Sequence, residues 1–251
     1  GSLLFAGAAD LDGDGDNDVF TTSFVDANEI SWYENLGDGS FGDQQVIESE
    51  LGEPSWLEAA DADGDGDLDL FGATRDDHRY FWYENRLNEE TSDFELAQVI
   101  FDGEGAGANK LIPVDMDNDG DLDALAASAT PGEARPITWY ENDGTGNFTN
   151  PTVIAESTLA TYYARPADFD GDGDIDVVAT SFVTPLVWFE NLGDGSFAPA
   201  EVIATGTEGA YGLDVADMDG DGDVDIVTGS YTNEIAWYEN NGDATFTGQQ
   251  V

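Results

Sequence analysis

Five stretches of this chain place a carboxylate at every second position of a nine-residue string. The first reads Asp10-Leu11-Asp12-Gly13-Asp14-Gly15-Asp16-Asn17-Asp18, and the others span 61–69, 115–123, 168–176 and 217–225. Alternating carboxylates around turn residues suit a hard cation that takes about six to eight oxygens. Side chains one, three and five of such a string converge on one side of a tight loop. Glycine at position six permits the sharp turn, position seven offers its backbone carbonyl, and the ninth carboxylate can close the shell in bidentate fashion. The expected metal residues are therefore Asp10, Asp12, Asp14, Asp16 and Asp18, then Asp61, Asp63, Asp65, Asp67 and Asp69, then Asp115, Asp117, Asp119, Asp121 and Asp123. Asp168, Asp170, Asp172, Asp174 and Asp176 follow, with Asp217, Asp219, Asp221, Asp223 and Asp225 last. Calcium is expected, about five ions at one per string, because magnesium prefers rigid octahedral shells that retain water. EF-hands are excluded. They need Glu at loop position twelve and a following helix, whereas that position holds Thr21, Gly72, Ala126, Ala179 and Thr228, with β-formers after it.

Elements that could position these loops emerge from self-comparison. The strings start 51, 54, 53 and 49 residues apart, a period that marks a repeat architecture. A second motif follows each one: Trp32-Tyr33-Glu34-Asn35, Trp82-Tyr83-Glu84-Asn85, Trp139-Tyr140-Glu141-Asn142, Trp188-Phe189-Glu190-Asn191 and Trp237-Tyr238-Glu239-Asn240. Each repeat predicts four strands. In the second they are Trp56 to Ala60, Leu68 to Thr74, Tyr80 to Glu84 and Phe94 to Phe101. A Gly-rich turn, Gly37-Asp38-Gly39-Ser40-Phe41 in the first repeat, suits a tight reversal. No sustained period near 3.6 is present, so helix should be scarce. Four antiparallel strands repeated side by side describe the blade of a β-propeller. The expected fold is all-β: one five-bladed propeller domain over 1–251, with repeats at approximately 1–49, 50–102, 103–155, 156–204 and 205–251. The expected first strand is Leu4 to Ala9, and the last runs from Thr245 to Val251. A closed five-bladed ring fits this count, and a piece of a longer array is the rival reading. Trp and Tyr of the repeated motif should fill the gaps between blades, while its Glu and Asn satisfy backbone groups at the turn.

The pattern Asp-x-Asp-x-Asp-Gly-x-x-Asp between two strands, with the Gly-Asp-Gly-Ser-Phe turn after it, resembles the FG-GAP/VCBS repeat family. That family includes the propeller of integrin α-subunits. The resemblance implies calcium in each hairpin loop. It also implies an extracellular or cell-surface propeller used in adhesion, in glycan binding, or as an accessory module of a secreted enzyme. Family propellers are commonly seven-bladed, and five copies here depart from that.

Composition narrows the function classes. Six Lys+Arg against 55 Asp+Glu give a formal charge of −49, which disfavours nucleic acid and anionic lipid as partners. Five calcium ions would bring it to −49 + 10 = −39, and the residual excess points to a salt-rich environment that screens self-repulsion. Loops without calcium should loosen, because metal binding and folding are coupled. Zero Cys and a single His exclude thiol chemistry and His-based triads. No apolar run approaches the ~20 residues of a membrane span, and Gly1-Ser2-Leu3-Leu4 lacks a signal peptide's charged n-region.

The end of each blade opposite the Asp loops varies among copies, as in Val25 to Glu29, Arg75 to Arg79 and Thr130 to Pro136. Variation there suits ligand binding. Arg75, Arg79, Lys110, Arg135 and Arg165 fall on that face or near it, and Arg86 does not. The expected ligand residues are Trp56, Glu58, Lys110, Tyr163, Arg165 and Asp214, on first strands beside the propeller axis. An aromatic platform beside charged groups suits a sugar. Blander roles are open for the same residues: Trp56 as a packing residue, and Glu58, Arg165 and Asp214 as an ion-pair network. His78 reads as an exposed loop residue. The leading expectation is a non-catalytic, secreted or cell-surface module for glycan or a surface protein. The alternatives are a propeller domain of a polysaccharide-degrading enzyme, with His78, Tyr162 or Tyr163 as a nominal base, and a structural spacer.

Overall fold

The computed structural model describes residues 2–24, 28–89, 93–102, 108–128, 136–155, 161–181, 185–205, 210–230 and 235–247. These residues contain no helix and form nineteen strands in five antiparallel sheets. The first sheet is β1 (Ser2–Ala9), β2 (Asp18–Phe24), β3 (Glu29–Tyr33) and β4 (Gln45–Glu48), in chain order. The second is β5 (Pro54–Ala60), β6 (Asp69–Thr74), β7 (Arg79–Asn85) and β8 (Phe94–Asp102). The third contains β9 (Ala108–Val114), β10 (Asp123–Ser128), β11 (Ile137–Asn142) and β12 (Phe148–Ala155). The fourth holds β13 (Thr161–Ala167), β14 (Asp176–Ser181), β15 (Leu186–Phe189) and β16 (Glu201–Ala204). Among the described residues the fifth has three strands, β17 (Ala210–Ala216), β18 (Asp225–Ser230) and β19 (Ile235–Tyr238). Most of its expected last strand lies outside them.

By contact density the chain divides into two compact units. One comprises Gly1–Val114, Asp121–Ala126 and Tyr140–Pro151, the other Asp115–Gly120, Ala127–Trp139 and Thr152–Val251. Within each, the strand period of two gives every sheet two apolar faces. In the first unit, Leu70, Phe81 and Tyr83 of the second sheet pack against Leu11, Phe20, Ile30 and Trp32 of the first repeat. The opposite face of the second sheet, with Phe71, Tyr80 and Trp82, packs on Leu111, Ala124, Tyr140 and Phe148. The second unit repeats the scheme, with Val178, Leu186 and Trp188 against Leu213, Ile226 and Tyr238. The Trp of one repeat thus meets the Tyr of the next. Apolar residues at adjacent positions of one strand are both buried, as expected for a sheet covered on both sides.

The Asn that ends each aromatic motif does more than satisfy its own turn. Asn85 Nδ2 donates to the Leu68 carbonyl of its own repeat at 2.9 Å and to the Leu11 carbonyl of the preceding repeat at 2.7 Å. Asn142 does the same with Leu122 and Ala62, Asn191 with Ile175 and Met116, and Asn240 with Val224 and Phe169. The side-chain oxygen of each caps the turn, as in the Gly144 amide bonded to Asn142. This is a latch between repeats that a propensity argument does not reveal.

First strands carry a bulge at one repeated place, between Leu3 and Phe5, Pro54 and Trp56, Thr161 and Tyr163, and Ala210 and Gly212. A bulge re-aims side chains, and it precedes the very positions expected to face a ligand.

The latch predicts unequal losses. Replacing Asn85 with Ala removes two bonds to buried carbonyls and should lower stability by about 2–4 kcal/mol. Asn35→Ala, where Nδ2 bonds only the Asn17 carbonyl among the described residues, should cost about 1 kcal/mol less than Asn85→Ala. Denaturant midpoints measured on both variants check this, and equal losses would contradict the inter-repeat role.

Candidate functional site: five acidic hairpins and a polar cleft

Each Asp loop is held open by its own backbone. Asp10 accepts the Gly13 and Gly15 amides at 2.9 and 3.0 Å, and Asp12 and Asp14 accept the amides two residues on. Gly13 and Gly15 have φ of 75° and 97°, which glycine adopts without steric cost. The ninth carboxylate is the anchor. Asp18 is fully buried; one oxygen accepts the Leu11 amide at 2.9 Å and the other the Asn35 amide at 2.8 Å. Asp69, Asp176 and Asp225 bridge the same two groups in their repeats. This carboxylate therefore closes the hairpin onto the third strand, and both its oxygens already accept one hydrogen bond. A bound ion would share them.

In every loop, oxygens of the first, third and ninth Asp lie within 4.8 Å of one another: Asp10, Asp12 and Asp18; Asp61, Asp63 and Asp69; Asp115, Asp117 and Asp123; Asp168, Asp170 and Asp176; Asp217, Asp219 and Asp225. Three hard oxygens converging without nitrogen or sulfur fit a group II cation. The fifth Asp stands outside these triplets. The seventh points its carboxylate away, toward the Gly-rich turn. A Cβ on Gly37 would sit 2.6 Å from an Asp16 oxygen, and Gly144, Gly193 and Gly242 are approached as closely by Asp121, Asp174 and Asp223. That leaves the backbone carbonyl as the seventh residue's available ligand atom and explains the glycine in the turn. Turn carboxylates are held too: a Ser40 hydroxyl and amide keep Asp38 below the ordinary carboxylate range. In the third loop Asn118 stands where the others have Gly, at φ 60°, and its amide reaches the Gly173 carbonyl and Asp174.

Crowding leaves an electrostatic signature. Burial, opposed by the backbone bonds and reinforced by neighbouring carboxylates, pushes Asp69 and Asp176 up to about 7. Asp12, Asp63 and Asp170 are raised for the same first cause.

The expected ligand residues fall into separate groups. In the first unit Trp56 packs on Phe5, ring centroids 4.4 Å apart, and the Lys110 ammonium lies 3.8 Å from the Trp56 ring centroid. Lys110 is buried, Glu58 is half-buried, and the Trp56 indole N–H is buried with no partner among the described residues. In the second unit Arg165 Nε donates to Asp214 at 3.1 Å, and Tyr163 is half-buried nearby in sequence. His78 is half-buried, not exposed, with φ 56°, because its neighbour Asp77 accepts the Gly52 amide at 2.6 Å and draws the loop inward. Arg135 lies outside the described residues, as does most of the variable-face sequence at Val25 to Glu29 and Thr130 to Pro136.

The sequence reading missed a concave site. A cleft of about 500 Å³ in the first unit is lined by Asp63, Glu84, Arg86, Glu95, Gln98 and Asn147, among others. Arg86 reaches Glu84 at 2.8 Å and Glu95 at 2.6 Å, and its Nε has no partner among the described residues. Gln98 links to the third repeat through the Phe148 carbonyl and amide. One signal was available. Arg86 occupies the position held elsewhere by Leu36, Asp143, Leu192 and Asn241, so the second repeat departs from the pattern there.

The raised carboxylates give a pH prediction. A folded value near 7 against about 3.9 unfolded means the native state keeps its proton over that interval, so stability falls as pH rises through it. Protein stripped of divalent ions should melt at lower temperature at pH 7.5 than at pH 5, and calcium should abolish the difference. Melting curves across that range, with and without chelator, check it.

The repeats match a known family model. The FG-GAP-like repeat model fits residues 10–72, 61–126, 115–179 and 168–228, each match running from one Asp loop through the next. Among solved structures, the lectin BP39L from Burkholderia pseudomallei superposes with a TM-score of 0.72 at 16% identity, covering 99% of this chain and 69% of the lectin. The periplasmic gluconolactonase PpgL from Pseudomonas aeruginosa gives 0.64 at 15% identity, covering 96% of this chain and 68% of that one. Both are propellers, and at such identity the likeness concerns the fold. Curated protein sequences give no match. With its Asp loops and aromatic motifs inside the matched segments, the chain belongs to the FG-GAP-like repeat family.

Proposed function

We propose that this protein is a non-catalytic, calcium-stabilised propeller module of five blades that binds carbohydrate outside the cell. The observation that carries the glycan reading is the polar cleft at Arg86. It is concave, and it gathers carboxylates, a guanidinium and side-chain amides, the groups that read hydroxyls. Superposition on a lectin supports the same reading. The Trp56–Lys110 group in the first unit and the Arg165–Asp214 pair in the second are further polar sites, each with an aromatic residue on or near the same strand.

Calcium fits the loops by donor chemistry. The first, third and ninth Asp of each string would hold it, with the seventh carbonyl and the fifth Asp completing the shell. The bound ion supplies neutralisation of carboxylates that burial leaves costly to ionise, and so couples ion binding to the closure of each hairpin. The gluconolactonase likeness favours one second reading, a hydrolase.

A glycan array run with and without calcium tests the proposal. Binding should fall at least about tenfold (about 1.4 kcal/mol) in Arg86→Ala. Loss in Trp56→Ala or Arg165→Ala with Arg86→Ala unaffected would move the site to the first strands. No binding to any glycan, with turnover of a sugar lactone or polysaccharide, would replace the module by an enzyme. Exhaustive chelation should lower the melting temperature by several degrees for each few kcal/mol lost, and an unchanged melt would remove the structural ion.

A further inference from the structure

The last strand of the second sheet departs from those of the first and fourth. In those two sheets the pairing ends at the motif Trp, with Trp32 opposite Gln45 and Trp188 opposite Glu201. Strand β8 continues until Asn85 faces Phe94. It does so through a bulge: Trp82 faces Gln98 and Tyr83 faces Leu96, which leaves Ala97 unpaired. Bulges bend an edge strand and re-aim its side chains. Ala97 is exposed.

A cavity lies on each face of the sheet at this bulge. The Arg86 cleft occupies the face of Trp82 and Glu84. On the other face, that of Phe81 and Tyr83, is a second cavity of about 290 Å³, and Leu96 lines both. Carboxylates of Glu48, Glu50 and Asp77 and the guanidinium of Arg79 complete the second cavity. Its rim is fixed in advance. The Gly52 amide donates to Asp77 at 2.6 Å, the Asp76 amide to the Gly52 carbonyl at 2.9 Å, and the Arg75 amide to the Glu53 carbonyl at 3.0 Å. A Cβ on Gly52 would sit 2.3 Å from the Asp77 carboxyl carbon. Glu50, Glu53 and His78 have φ of 63°, 52° and 56°, a region that residues other than glycine rarely enter. Such conformations persist where the surroundings dictate them, and a rim ordered beforehand lowers the cost of binding.

We infer that the two cavities form one extended site, and that its ligand is a polymeric saccharide carrying protonated amines. This rests on the carbohydrate reading of the Arg86 cleft and adds the length and charge of the ligand. Continuity comes from Leu96, shared by both cavities, and from the small side chain of Ala97 beside it, which lets a run of sugar rings cross the strand. The charge comes from the lining. Asp63, Glu84 and Glu95 stand against Arg86 in one cavity, and Glu48, Glu50 and Asp77 against Arg79 in the other. A divalent ion in the second loop would neutralise Asp63 and still leave a negative excess on both sides. Arg86 is committed to Glu84 and Glu95, so it positions two carboxylates for an amine. The field of a chain carrying −49 draws cations in and turns anions away.

Calorimetric titration of the whole chain, in calcium and mildly acidic buffer, tests this. Linear β-linked hexamers of glucosamine, N-acetylglucosamine and glucose share one backbone and differ only in an amine, an acetamide or a hydroxyl. The glucosamine hexamer should bind one per chain, at least about tenfold tighter than the other two, and high salt should remove its advantage. Glu50→Lys in one cavity and Glu95→Gln in the other should each weaken that hexamer, by about tenfold and about threefold, with unchanged circular dichroism. Three hexamers bound equally, two glucosamine hexamers per chain, or an undiminished Glu50→Lys would overturn the inference. A neutral or anionic glycan that outcompetes the glucosamine hexamer and is lost in Arg86→Ala would also overturn it while leaving the carbohydrate reading intact. Failure to bind any glycan would remove both.

Discussion

The structure depends on a carboxylate that cannot escape to water. The ninth Asp of each loop is buried, and Asp18, Asp69, Asp176 and Asp225 each bond the amide at the loop's second position and the amide of the motif Asn. One side chain thereby joins the first strand's exit, the second strand's start and the third strand's end. The Asn it fixes carries the connection onward, donating to the preceding repeat. Removing a buried acceptor of this kind leaves two amides unpaired, each costing roughly 1–3 kcal/mol. The hairpin and the docking of its neighbour are thus secured by the same few atoms.

This arrangement sets electrostatics against packing. Burial raises Asp69 and Asp176 into the neutral range, while the converging first and third carboxylates add negative potential beside them. A divalent ion at the converging carboxylates would resolve that conflict with charge. Such an ion would explain why acidic residues persist at five equivalent places in a chain already carrying −49. It would also give the loops a reason to be nearly invariant, whereas the second repeat's turn, with Arg86 after its Asn, differs.

Where the repeats differ, the structure collects its more individual features. Arg86 binds two carboxylates at the rim of a cleft that two repeats build together. Trp56 holds Lys110 over its ring, so a cation in this acidic chain is buried by an aromatic face. Arg165 is paired with Asp214 across two first strands. The five-fold pattern supplies the frame, and departures from it supply the candidate sites.

The sequence by itself determined the repeat, the strand order and the acidic strings, because these rest on local spacing, but it expected positions one, three and five to converge where the fold brings together one, three and nine. The predicted Phe94 to Phe101 strand spans Phe94–Asp102, and Trp56 to Ala60 spans Pro54–Ala60. Alternate positions of a strand face opposite ways, so Trp82 and Tyr83 had to enter different cores. Only the tertiary structure decided what the side chains meet. It showed the ninth Asp bridging two amides, the seventh Asp lying over a turn glycine, and Asn85 reaching a carbonyl 74 residues away. It also showed His78 drawn inward and Arg86 placed in a cleft. Those outcomes come from residues far apart in the chain meeting across repeats, and a period along one strand carries no information about the partner on the next sheet.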